Sequence, residues 1–256
     1  EFWALCMKEV KLRRCVVDPQ LYVDDETGLM LLCHVDDVIM TGPPAATEAM
    51  KVAIAQQVRM KWLCELGDEW NVYLGREIRR TRDSFQLRMH PSYYDRIAAT
   101  MGLETAKGYA LPLQILPTDD PASPRLPEAK AATYRTLVGK LLWCSPIRLD
   151  LTFAVRELSR HVANPRDIDW SRLRHVVKYL RGEGGRIMEL RLGAINEAAD
   201  GDEVRVYAYS DASWAGGPGY ASVTGGILVA DGVVLTHFSR TQGVVSMPST
   251  EAELLA

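Results

Sequence analysis

The chain has 256 residues, 47% of them hydrophobic, and a net charge of −3. That length predicts one or two domains with real cores, and no apolar run approaches the ~20 residues that span a bilayer. Cys6, Cys15, Cys33, Cys64 and Cys144 are scattered with no Cys-x-x-Cys pair, which speaks against a zinc ribbon or disulfide framework and for an intracellular setting. The opening on Glu1 without a secretory pattern is expected of a piece of a longer polypeptide. From Arg125 to Arg186 there are 13 Lys and Arg against 6 Asp and Glu, which leaves the remainder strongly acidic. A basic middle of this kind suits a phosphate backbone, although on charge alone a solvated helical face suits it too.

Residues 1–43 read as the end of a helix followed by two strands. Leu31-Leu32-Cys33-His34-Val35-Asp36-Asp37-Val38-Ile39-Met40-Thr41-Gly42 sets two adjacent carboxylates between apolar runs, which predicts a β-hairpin with Asp36 and Asp37 at its tip. Tyr22-Val23-Asp24-Asp25 is followed by the polar Glu26-Thr27-Gly28 and reads as a loop into the strand at 29–35. Met50, Ile54, Val58 and Trp62 predict an amphipathic helix over 45–62. The alternations Val72, Leu74, Ile78 and Phe85, Leu87, Met89 predict a hairpin around Thr81-Arg82-Asp83-Ser84. A short helix follows from Pro91 to Gly102.

Residues 103–128 hold five of the thirteen prolines and read as an irregular connector. Three helices are predicted near 129–145, 150–163 and 167–181, the second capped by Asp150. In the third, Trp170, Leu173, Val177 and Leu180 form an apolar stripe among Arg172, Arg174, His175, Lys178 and Arg181. The last segment is β-rich: Val204–Tyr209 alternates, carrying Asp211 out at the strand's end. Ile227–Val229 then meets Val233–Leu235 across Asp231-Gly232, a strong hairpin turn. A final helix starts near Ser249.

Two exposed aspartates at a turn repel one another, and a divalent cation relieves that repulsion. Hard oxygen ligands suit Mg²⁺, which keeps waters and takes one or two carboxylates plus substrate phosphates. A second acidic pair is Asp211, in Tyr209-Ser210-Asp211-Ala212-Ser213-Trp214, and Glu253, in Ser249-Thr250-Glu251-Ala252-Glu253-Leu254-Leu255-Ala256. Taken alone, Glu253 also fits a capping box with Thr250.

The 31–42 segment resembles the Tyr-x-Asp-Asp hairpin of reverse transcriptases, with His34 in the tyrosine position. Asp18-Pro19-Gln20-Leu21-Tyr22-Val23 resembles the lead-in of copia-type long-terminal-repeat retrotransposons, as do Leu137–Leu142, Arg148–Val155, Asn164-Pro165 and Lys178–Gly182. The words around Asp211 and Glu253 resemble the copia-type ribonuclease H, where the Glu-apolar-apolar-Ala spelling selects Glu253 over Glu251. The resemblance implies an α+β chain: the C-terminal part of a reverse-transcriptase palm and thumb over 1–102, the connector 103–128, a helical connection over 129–190, and an incomplete ribonuclease H sheet with helix over 200–256. It implies RNA-directed DNA polymerase and ribonuclease H activity by two-metal phosphoryl transfer. The catalytic and Mg²⁺-binding residues would be Asp36, Asp37, Asp211 and Glu253, with Arg172, Arg174, Lys178 and Arg181 on the nucleic acid. The implied partners are an RNA template, a DNA primer, their hybrid, dNTPs and the remainder of the Pol polyprotein, with no membrane; the implied location is a cytoplasmic particle or the nucleus.

The family's polymerase site takes a third aspartate from an earlier strand, and its ribonuclease H takes carboxylates downstream of Glu253. Each site is therefore expected to be partial here and the chain inactive alone. A non-catalytic relic and a domesticated nucleic-acid-binding module are the alternatives. His34 keeps a planar, polar-tipped side chain with less bulk than tyrosine and is given no catalytic role.

Overall fold

The computed structural model describes residues 7–8, 10–113, 122–183, 186–191 and 205–256. The expectations for the first helix end, for Val204 and for the middle of the proline-rich connector fall wholly or partly outside them. The architecture is α+β, with antiparallel sheets and helices in two compact units, Glu1–Glu65 and Leu66–Ala256. Among the described residues no helix is long and apolar enough to cross a membrane.

The first unit is a four-stranded antiparallel sheet in chain order: β1 (Arg13–Arg14), β2 (Leu21–Val23), β3 (Met30–His34) and β4 (Asp37–Thr41), followed by α1 (Pro44–Gln57). The period-2 pleat turns Leu31 and Cys33 inward and leaves Met30 and His34 exposed. Met50 and Ile54, one helical turn apart, close the core over Tyr22, Leu29, Leu31 and Cys33. The helix stops five residues before the predicted end, because Val58 is extended at φ −140° and ψ 137°. Val58, Met60 and Trp62 still pack on this core, so apolar spacing that reads as helix serves a strap instead. Gly42 is required by proximity: a Cβ there would lie 2.9 Å from Leu29 Cα.

In the second unit, β5 (Asn71–Tyr73), β6 (Arg76–Arg80), β7 (Ser84–Arg88) and β8 (Met188–Arg191) form one antiparallel sheet. The predicted hairpin is there as β6–β7, but residues 71–78 make a second one. Leu74 and Gly75 both take positive φ, 49° and 71°, the signature of a type I′ turn. β8 lies in the stretch read from sequence as the end of the helical region.

Four helices, α2 (Pro91–Thr100), α3 (Glu128–Cys144), α4 (Thr152–Ser159) and α5 (Asp167–Glu183), build the larger core. On α3 the buried residues Tyr134, Leu137, Val138 and Leu141 follow the i, i+3, i+4, i+7 stripe, and Tyr134 Oη donates to Leu158 O on α4 at 2.8 Å. Two 3-10 turns, Ser145–Ile147 and Leu149–Leu151, precede α4, which is shorter than predicted. A third sheet holds β9 (Val206–Ser213), β10 (Val223–Ala230) and β11 (Val233–Thr241) in the order β11-β10-β9, and α6 (Ser249–Leu254) contacts β9. Asp231 and Gly232, at φ 45° and 80°, make the predicted β10–β11 turn.

Candidate functional site

Asp36 and Asp37 lie where the double apolar flank puts them. β3 and β4 pair from Met30↔Thr41 to His34↔Asp37, so Val35 and Asp36 are the two-residue turn and Asp37 opens β4. Val35 takes φ 56° while Asp36 does not share the positive φ, the pattern of a type II′ turn whose first position usually belongs to glycine. A β-branched residue there stores about 1–3 kcal/mol of backbone strain, held by the ladder on either side. Both aspartates are exposed, and among the described residues no hydrogen bond or ion pair engages either carboxylate.

Asp24 and Asp25, by contrast, are occupied. Asp24 accepts from Glu26 N–H at 3.0 Å and Thr27 Oγ1 at 2.6 Å, and those bonds hold its carboxyl below the usual range. Asp25 takes a bidentate pair from Arg13 at 2.6 and 2.7 Å. The turn before β3 therefore spends its two carboxylates on its own geometry, and the hairpin tip keeps its two available.

Asp211 sits within β9, opposite Gly225, not at the strand's end. Ala212 and Ser213 continue the ladder against Thr224 and Val223 for two residues more. The β10–β11 hairpin returns the chain, Gln242 Nε2 bridges Thr224 Oγ1 and Ala252 O, and α6 is thereby fixed beside β9. Ala212 N–H donates to Glu253 Oε2 at 3.1 Å, which brings Glu253 to the residue next to Asp211. Glu251 accepts from Met247 N–H at 2.9 Å and serves the local helix start. No side-chain cap involves Thr250, so the capping-box alternative for Glu253 is not what forms.

Asp36, Asp37, Asp211 and Glu253 are all exposed, and carboxylates are the hard oxygen donors that Mg²⁺ takes alongside waters. Among the described residues no group of three or more His, Cys, Asp or Glu side chains gathers at a point.

The basic helix α5 divides its cations. Arg172 donates to buried Asp169 at 3.1 Å, Arg181 to Asp95 at 2.6 Å, and Lys178 to Tyr109 Oη at 3.1 Å while lying over that ring. Arg174 is exposed and has no such partner among the described residues. His175 stacks on Tyr109 with centroids 4.5 Å apart.

Sequence reasoning missed a buried charge network in the second unit. Arg148, 1% exposed, makes a bidentate pair with Asp150 at 2.9 and 2.7 Å, and Tyr179 Oη on α5 donates to the same carboxylate at 2.6 Å. Burial pushes the Asp150 carboxyl up, but the Arg148 and Tyr179 hydrogen bonds and the Arg148 charge outweigh it and leave the carboxyl below its ordinary value. Asp150 is thus no helix cap; it is the anchor that joins the turn before α4 to α5. Burial also pushes the nearby Cys144 thiol up to about 12, which makes it unreactive.

Over 228 aligned residues the chain is 30% identical to the retrovirus-related Pol polyprotein from transposon RE2 of Arabidopsis thaliana, covering 88% of this chain and 15% of that protein. It is 27% identical to the corresponding polyprotein from transposon TNT 1-94 of Nicotiana tabacum, covering 98% of this chain and 19% of that protein. The polyprotein from transposon RE1 of Arabidopsis thaliana is 28% identical over 93% of this chain and 16% of its own length. The chain thus spans less than a fifth of these relatives. No protein-family model matches it, and no solved structure does.

Proposed function

Because the chain belongs to the retrovirus-related Pol polyproteins of copia-type transposons, we propose that it supplies part of a reverse transcriptase and part of a ribonuclease H. The observation that carries this reading is the contrast between the two aspartate pairs of the first unit. Asp24 and Asp25 are consumed by local bonds, whereas Asp36 and Asp37 stand exposed on a strained two-residue turn. In the polymerase part, Asp36 is the firmer metal ligand and Asp37 its companion, with β3–β4 holding both beside the primer end. In the ribonuclease H part, Asp211 on β9 and Glu253 on α6 form the second acidic pair. Two bound Mg²⁺ ions would stabilise the attacking and leaving oxygens of an in-line phosphoryl transfer. Arg174 is the helix cation ready for a phosphate; Arg172, Lys178 and Arg181 would exchange an internal partner for one. The nucleic acid would be held through its backbone, with no base readout.

A second reading keeps the partnership with nucleic acid and gives the chain by itself no catalysis. The observation in its favour is that, among the described residues, no three or more His, Cys, Asp or Glu side chains gather where they could hold a metal ion.

Paramagnetic Mn²⁺ in place of Mg²⁺ tests the metal assignments. The amide signals of residues 34–38 and 210–213 should broaden selectively, and Asp36→Asn with Asp37→Asn should abolish the first set alone. Broadening centred on Asp24 and Asp25, or none at either pair, would overturn the proposal. Cleavage of a labelled RNA–DNA hybrid by the same protein decides between the two readings.

A further inference from the structure

We propose that the cleft between the Leu149–Phe153 segment and the β9–β11 sheet is a binding site for an uncharged ribonucleoside, independent of divalent metal. This goes beyond the phosphoryl-transfer reading and does not need it. The cleft measures about 560 Å³, inside the ~300–1,000 Å³ range of small-ligand sites. Its walls are two rings left in solvent, Phe153 at 47% and Tyr209 at 59% exposure, with Ile227 between strands. Tyr209 has only a loose stack on Tyr207, with centroids 6.5 Å apart. Exposed rings of this kind stack on bases regardless of which base is offered.

The floor is a cross-strand row: Asp211 on β9, Gly225 on β10 and Ser239 on β11. Directly opposed residues share one face of a sheet. A Cβ on Gly225 would meet no atom within 4 Å, so the middle of the floor is flat and open where a planar ring could lie. To one side stands the Asp211 carboxylate; to the other is Ser239 Oγ, buried with no hydrogen-bond partner. A buried hydroxyl without a partner is uncommon in proteins and calls for a water or a ligand group to meet it. A carboxylate accepting from adjacent ribose hydroxyls is the contact that acidic residues make in dinucleotide sites. Together the row presents a flat apolar centre between a hydroxyl and a hydroxyl-accepting anion.

The lining carries one carboxylate and no Lys or Arg. With no divalent metal on Asp211, a phosphate would meet repulsion there without a compensating cation, which selects a nucleoside over a nucleotide in EDTA. The cleft is also held open in advance. His237 bridges Thr152 Oγ1 at 2.8 Å and Pro146 O at 3.2 Å, and Arg156 on α4 bonds Thr241 on β11, so both walls are tied together at two points.

The test is titration of the whole chain with adenosine in EDTA, followed by amide chemical shifts at Phe153, Tyr209, Gly225 and Ser239. Saturable shifts at these positions are expected. 2′-Deoxyadenosine should bind about tenfold more weakly, the scale of one lost hydrogen bond to a charged group, and 5′-AMP should bind no tighter than adenosine. Gly225→Val suits a strand and fills the floor; it should weaken adenosine about tenfold or more, the scale of losing one stacked base, with circular dichroism unchanged. Ser239→Ala is the second variant and should weaken adenosine without touching the floor. No saturable shift, full binding to Gly225→Val, equal affinity for the deoxy form, or a requirement for Mg²⁺ would each overturn the proposal. The Mn²⁺ experiment, run without nucleoside, reads Asp36 and Asp37 independently of these results, and those two residues lie outside the cleft.

Discussion

Arg148 and Asp150 show how much one buried ion pair can organise. The guanidinium is 1% exposed and the carboxylate 15%, and Tyr179 adds a bond from another helix. Removing one partner of such a pair leaves an uncompensated charge, so Asp150→Ala should cost about 3–5 kcal/mol in urea unfolding. The double change Arg148→Met with Asp150→Leu should recover most of that loss; a cost below about 1 kcal/mol for the single change would mean the pair is screened like a surface one. The pH dependence has a definite sign. The folded Asp150 carboxyl titrates below its unfolded value of about 3.9. Its contribution is therefore full above that value and is lost as pH falls from about 4 through the folded pKa. Asp36 and Asp37 were legible because a hairpin flank is local, with all its information inside twelve consecutive residues. The Arg148 network was not. Asp150 sits at a position where a capping residue belongs, and its second partner arrives 29 positions later on a different helix.

Elements were legible where periodicity and packing agree. α5 buries the stripe its spacing predicts, and Asp231-Gly232 turns β10 into β11. The misses have physical causes. The alternation over 71–78 hides a turn, because Leu74 accepts a left-handed conformation that its side chain does not advertise. The alternating residues of β9 suggest a half-buried strand, yet seven of its eight residues are exposed, since it ends the sheet order β11-β10-β9. An edge strand keeps one row of backbone groups unpaired and opens easily. Amides of Val206–Ser213 should therefore exchange with deuterium faster than those of α3 and α5. Slower exchange would show that the edge is covered in solution, for instance by a second molecule.

At the scale of the molecule, prolines draw attention to residues 103–128, while the division into compact units falls at Glu65 and Leu66, in a stretch without proline. Residues 59–70 form neither helix nor strand, and Arg59 and Lys61 are exposed within them. Brief trypsin treatment should cut there first and leave two resistant pieces; primary cleavage inside either sheet would contradict the division. The strand pairings also carry a timetable. β1 to β4 and β9 to β11 each join their neighbour in sequence, so the first sheet can form while later parts of the chain are still being made. β8 has to find β7 across a long excursion: Ser84 bonds Glu189, 105 positions further on. Closing so long a loop is costly in entropy until the intervening helices have drawn its ends together. For the whole interval in which α2 to α5 are being synthesised, β7 waits with one side open. That nascent edge is the moment at which this chain most needs a chaperone.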